Sequence, residues 1–178
     1  SEEEEIKKRI DDARKELEES TREVRERLRD SMRRLDESLK RVEEEIRKLA
    51  DDIRRREVDE ELLKDTIRRA RERLKRHERE TEKNNKRLKE EVERHVEETK
   101  RRIDRLREEV EKLERNGLEE EVVRRVRELL KRLKEEVDRI NDEIRKLLED
   151  HKKRTEEVNE TIKRLIDRLE EELRRRRE

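Results

Sequence analysis

Aromatic side chains are missing from this 178-residue sequence, which has no Phe, Tyr or Trp. Those residues supply the large packing units of most cores and the anchors of most interfaces. They are also the platforms on which single-stranded nucleic acids stack. Cysteine is missing as well, which excludes disulfides, thiolate metal sites and cysteine nucleophiles. With no proline and a single glycine, little in the chain interrupts regular backbone. No apolar run approaches the ~20 residues of a membrane span, and no targeting segment is visible. A soluble chain is expected, with no address beyond the cytoplasm of a recombinant host. Net charge is absent too, since 57 basic residues face 57 acidic ones. The balance is local: residues 1–57 carry 18 basic and 20 acidic side chains, residues 58–116 carry 20 and 18, and residues 117–178 carry 19 and 19. No segment offers the one-signed field that nucleic acid or an anionic membrane surface would need.

What the chain does have is charge and order. Charged residues make up 64% and apolar residues 25%. That balance alone would fit disorder, but the apolar residues are periodic. In the first segment they run Ile6, Ile10, Ala13, Leu17, Val24, Leu28, Leu35, Leu39, Val42, Ile46, Leu49 and Ile53. Spacings of three and four mark one face of a helix. A shift of 18 residues lays the pattern on itself: Ile6, Val24 and Val42 align, as do Ala70, Leu88 and Leu106 in the second segment and Val126, Ile144 and Ile162 in the third. Eighteen residues are five turns of an α-helix with about 3.6 residues per turn, so the seam stays on one side without supercoiling and the helices should be nearly straight.

Two breaks divide the comb. At Glu57-Val58-Asp59-Glu60, Asp59 is suited to cap a new helix with an acidic first turn. At Asn116-Gly117-Leu118, Gly117 suits the left-handed residue that ends a helix. Ser1-Glu2-Glu3-Glu4 reads as a capping box, and Arg174 to Arg177 complement the dipole of a final C-terminus. The prediction is one all-α domain over residues 1–178, an antiparallel three-helix bundle with helices at about 2–56, 60–115 and 119–176. Facing positions should then sum to about 116 between the first and second helices and about 236 between the second and third.

That register aligns two apolar gaps, Lys75 to Arg87 and Glu149 to Glu157. The seam positions in and near them hold polar residues. One predicted layer joins Ser20, Thr21, His95 and Asn141. A second joins Ser38, His77 and Asn159, each displaced by 18 from its counterpart, about 27 Å along the helix. A third joins Ser31, Asn84 or Asn85, and His151. Each histidine has a threonine four residues on, as Thr81, Thr99 and Thr155, and so on the same helical face. An imidazole, an amide and a hydroxyl can satisfy one another as donors and acceptors, so these layers read as buried hydrogen-bond networks that set register and partner choice. A metal site is not expected, because His77 and His95 lie about 27 Å apart on one helix and His151 belongs to a different layer. Catalysis is not expected either, since a hydroxyl beside an imidazole lacks an oxyanion hole and a concave pocket. The Glu/Lys/Arg runs read as a solvated face laced with ion pairs four residues apart.

With its 18-residue comb, its translated Ser/His/Asn layer, its minimal connections and its Glu/Lys/Arg surface, the whole chain resembles de novo designed helical bundles, specifically parametrically generated ones with buried hydrogen-bond networks. The resemblance implies a structural scaffold with no natural activity and no cofactor. Three histidine-centred layers are more than a purely stable bundle of this type needs, which raises a pH response or partner exchange as a purpose. A spectrin-like repeat would carry aromatics, a solvated single helix would need no apolar seam, and a tropomyosin-like rod would keep heptads. Leu130, Leu148 and Ile166 form a stripe beside the seam of the third helix, Met32 and Ala50 a thinner one on the first, and the second offers little beyond Val96. These stripes are too narrow for a second interface, so a closed monomer with no required partner, nucleic acid or membrane is expected. The alternative is a helical interaction module: a designed oligomer or a pH-responsive, partner-binding bundle.

Overall fold

The computed structural model describes residues 1–55 and 59–177. Arg56, Glu57 and Val58, assigned above to the end of the first helix and the first connection, lie outside the described residues, as do the side chain of Arg177 and Glu178. Three helices follow in order: α1 (Glu2–Arg55), α2 (Glu60–Arg115) and α3 (Glu120–Arg177). Among the described residues there is no strand.

The helix ends follow from local chemistry. Ser1 Oγ accepts the N–H of Glu4 at 3.3 Å while the Glu4 carboxylate reaches back to the terminal ammonium at 3.7 Å, the reciprocal arrangement of a capping box. The Asp59 carbonyl accepts the N–H of Leu63 at 3.1 Å, which opens the hydrogen-bond ladder of α2. At the end of α2, Leu118 N–H bonds back to the Leu113 carbonyl at 3.0 Å and Gly117 N–H to the Glu114 carbonyl at 3.2 Å. Gly117 sits at φ 95°, where an L side chain would be strained. The sixth-to-first and fifth-to-second bonds make a Schellman motif that closes the orphan carbonyls of the helix end.

The chain gathers into two compact units. Unit 1 comprises Ser1–Leu28 and Leu88–Leu148, and unit 2 comprises Arg29–Arg87 and Glu149–Glu178. All three helices contribute to each. Unit 1 holds two apolar clusters, one around Ile10, Leu106 and Val126 and one around Leu28, Val92 and Ile144. Unit 2 holds a cluster around Ile53, Leu63 and Ile166. Complete burial of such side chains contributes about 1.5–3 kcal/mol each, which is what assembles helices whose exposed faces are almost wholly charged. On α3 the buried line passes through Leu130 and Ile166, 5% and 1% exposed, while Leu129 and Leu165 are only partly buried. Of the stripe placed beside the seam by sequence, Leu130 and Ile166 are therefore part of the seam's centre, while Leu148 is only partly buried.

Ion pairs record the register within each unit. Between α1 and α2, Arg9–Glu109 at 3.1 Å and Arg102–Glu16 at 2.6 Å in unit 1, and Arg73–Glu45 at 3.4 Å in unit 2, all join residues whose numbers sum to 118. Between α2 and α3, Arg71 pairs with Asp167 at 2.9 Å and with Glu170, and Arg127 pairs with Glu114. Those sums run from 238 to 241, two to five residues beyond the expected 236. The parallel pair α1 and α3 is joined at an offset of 118 by Arg25–Glu143 at 2.5 Å and Arg154–Asp36 at 2.8 Å, and at 122, one turn further, by Arg125–Glu3 at 3.3 Å. Exposed pairs of this kind are worth about 0–1 kcal/mol each, so they mark the register more than they enforce it.

Candidate functional site

The polar residues at seam positions gather at three places, at one of which the hydrogen bonds fall into two separate groups. In unit 1, Ser20 Oγ lies 2.9 Å from Nδ1 of His95 and Thr21 Oγ1 lies 3.3 Å from its Nε2. Thr21 already gives its one proton to the Leu17 carbonyl at 2.7 Å, so its oxygen can only accept from the ring. Hence Nε2 carries the proton and Nδ1 accepts from Ser20. Asn141 does not reach His95. Its Nδ2 donates to Thr99 Oγ1 at 2.9 Å, and Thr99 in turn donates to the Val96 carbonyl at 2.7 Å. The expected layer of Ser20, Thr21, His95 and Asn141 is thus divided, because both ring nitrogens of His95 are taken by the two hydroxyls of α1 and Asn141 is left with Thr99, one turn past the histidine.

Unit 2 solves the same problem the other way. His77 Nδ1 lies 2.7 Å from Asn159 Oδ1, and Asn159 Nδ2 donates to Thr81 Oγ1 at 3.1 Å. Thr81 spends its proton on the main chain, with the His77 carbonyl at 2.8 Å. That fixes the amide, so the His77 proton is on Nδ1 and points at α3. Ser38, expected in this layer, makes no hydrogen bond to His77, and both are half-buried. The two layers differ on α1: the neighbour of Ser20 is Thr21, whereas the neighbour of Ser38 is Leu39, which has nothing to offer an imidazole. With one ring and two neighbouring helices, His95 serves the side that holds two hydroxyls, and His77, with Ser38 alone on α1, serves the amide of Asn159 on α3.

The third group brings together all three helices. Ser31 Oγ lies 2.6 Å from His151 Nε2 and accepts from Asn84 Nδ2 at 2.8 Å. Thr155 Oγ1 bonds to the His151 carbonyl at 2.9 Å and lies 3.3 Å from Asn85 Oδ1. Sequence reasoning left Asn84 and Asn85 as alternatives; both take part, Asn84 toward α1 and Asn85 toward α3. His151 Nδ1 is buried and has no hydrogen-bond partner in either tautomer.

Eight of these polar side chains are buried, Thr21, Ser31, Thr81, His95, Thr99, Asn141, His151 and Thr155, and Ser20, Ser38, His77, Asn84, Asn85 and Asn159 are half-buried. Burial sets the electrostatics. Desolvation holds the His95 imidazole below its ordinary pKa of 6.5, with Glu98 opposing weakly, and desolvation alone lowers that of His151. Both rings are therefore neutral at pH 7.

Chemically, a serine against an imidazole at 2.6 Å is half of a hydrolytic triad. His151, however, is 1% exposed and its second nitrogen meets no carboxylate, so neither a substrate nor an orienting acid reaches it. Among the described residues, no group of three or more His, Asp or Glu converges as a metal site, and no helix is long and apolar enough to cross a membrane. The interhelical ion pairs were missed by a reading of the charged face as i,i+4 pairs. The constant register sum was the signal that could have found them.

No family model and no curated protein sequence matches the chain. Among solved structures it is similar to one described as a computationally designed three helix bundle, with 16% sequence identity over 98% of this chain and 89% of that chain, and a TM-score of 0.84. At that identity the likeness speaks to architecture, and it agrees with the order of helices and the burial described above: the chain is an all-α three-helix bundle.

Proposed function

We propose that the chain is a designed structural scaffold: a single, monomeric domain with no natural biochemical activity, no cofactor and no required partner. One observation carries this reading. The residues that could do chemistry spend their hydrogen bonds on one another, helix to helix, as Ser31, Asn84 and His151 do from three different helices. Such groups specify which helical register is satisfied, because a slipped register would leave buried donors and acceptors unpaired. Enzyme sites do the reverse and keep such groups open to a pocket. The apolar surface supports the monomer, since Leu62 is the one large hydrophobic side chain that stands exposed among the described residues.

Light scattering at micromolar concentration tests the proposal. A mass near 22.4 kDa is expected. A stable dimer or trimer would overturn the closed scaffold and favour the alternative, a helical interaction module that completes its core with further helices.

A further inference from the structure

Asn141 is 4% exposed, and its Oδ1 is buried without a hydrogen-bond partner. The amide orientation is fixed, because Nδ2 donates to Thr99, whose own proton goes to the Val96 carbonyl. In unit 2 the equivalent oxygen, Asn159 Oδ1, is bonded to His77. In unit 1 the ring of His95 turns to Ser20 and Thr21 instead, and Asn141 Oδ1 is left over. Beside Asn141 lies a cavity of about 10 Å³, open to the centre of a water-sized sphere. Thr21 and Thr99 line it, as do Arg14, Glu18 and Glu136. Space of about 10–15 Å³ by this measure accommodates one water, provided that two to four polar groups surround it.

We propose that this cavity is a specific binding site for one structural water. The water donates one hydrogen to Asn141 Oδ1 and the other to one carboxylate of the wall, and its oxygen accepts from the Arg14 guanidinium. Arg14, itself 4.0 Å from Glu18, puts positive charge on the wall and so favours a neutral ligand over a cation among these carboxylates. The small volume excludes anything larger than a water. The site extends the unit 1 polar group from the buried amide to the charged surface, and it supplies the donor that His95 gives up.

A crystal structure at a resolution that orders solvent, together with water–protein cross-relaxation in solution, tests the site. A single density peak within hydrogen-bond distance of Asn141 Oδ1 is expected. So are cross-peaks of a long-lived water to the Thr21 and Thr99 methyls. In Asn141→Leu, whose side chain fills the space and removes the orphan oxygen, those cross-peaks should vanish while helicity is kept. Thr99 stays satisfied there through the Val96 carbonyl. Cross-peaks that persist in Asn141→Leu would overturn the assignment. An empty density at Asn141 Oδ1 would overturn it without any variant, and so would a His95 ring turned to donate to that oxygen.

Discussion

An imidazole has two nitrogens and, when neutral, one proton, so a histidine between two helices must donate to one side only. The neighbours of His95 and His77 send that proton to opposite ring positions. Ring ¹⁵N chemical shifts should therefore report Nε2–H for His95 and Nδ1–H for His77; the same tautomer at both positions would contradict the geometry. Thr21→Val should redirect His95. It removes the acceptor for Nε2–H and leaves Asn141 Oδ1 as the better partner, so the tautomer of His95 should become that of His77. His151 carries a different prediction. Replacing it alone with leucine leaves Ser31 and Asn84 facing an apolar group, and each buried polar group so stranded costs about 1–3 kcal/mol. The variant His151→Leu/Ser31→Ala/Asn84→Ala should lose less stability in denaturant than His151→Leu alone. A larger loss in the combined variant would mean that the three residues do not act as a unit.

At the scale of the helix, the 18-residue comb is its own control. Ala70 aligns with Leu88, and Glu78 with Val96. In unit 1 Leu88 and Val96 are 6% and 4% exposed and close the core. In unit 2 the smaller Ala70 lies in a groove between α1 and α2, lined also by Val42, Leu49 and His77. Ala70→Leu should fill part of it. At about 0.8 kcal/mol per buried methylene, and with the site only half covered, a gain of about 1 kcal/mol is expected in chemical denaturation. A loss instead would show that the groove closes in solution and that leucine overpacks it. Gly117→Ala should cost about 1 kcal/mol by backbone strain alone, since its Cβ would meet no atom within 4 Å.

The helices themselves were legible from the periodicity, because most of the few apolar residues had to fall on one face for so highly charged a chain to bury anything. The break at Gly117 was legible from its chemistry. The register between α2 and α3 was less so: a symmetric turn would give 236, but the Schellman motif carries the chain on by several residues before α3 begins, and the facing positions move with it. Which neighbour each histidine chooses was not legible. It depends on a ring rotation set by Thr21 against Leu39, a difference visible in sequence whose consequence is conformational.

For the whole molecule the question is how folding couples to acid. His95 and His151 both titrate below their ordinary value because burial disfavours the imidazolium. The unfolded chain, with histidines near pKa 6.5, takes up protons first as the pH falls. Stability contributed by the neutral rings is complete above that value and is lost as the pH drops from it toward the folded pKa values. Urea midpoints should therefore be lower at pH 5 than at pH 7.5. A variant with all three histidines changed to asparagine should show a smaller difference; an equal one would assign the response to carboxylates. If the chain is one domain, a single transition reported alike by probes in unit 1 and unit 2 is expected. Two separated midpoints would make the units independent.

The absence of Phe, Tyr and Trp has a practical side that bears on each polar layer. In proton spectra taken after exchange of N–H groups in D2O, the aromatic window of this protein holds only the carbon-bound ring protons of three imidazoles. Each imidazole belongs to a different hydrogen-bonded group, His77 with Asn159, His95 with Ser20 and Thr21, and His151 with Ser31. Every layer thus contains one built-in reporter against a silent background, with no label to introduce and no neighbouring ring current to distort its shift. Loosening of one layer before the others, under acid, heat or denaturant, would be visible as one pair of lines moving alone.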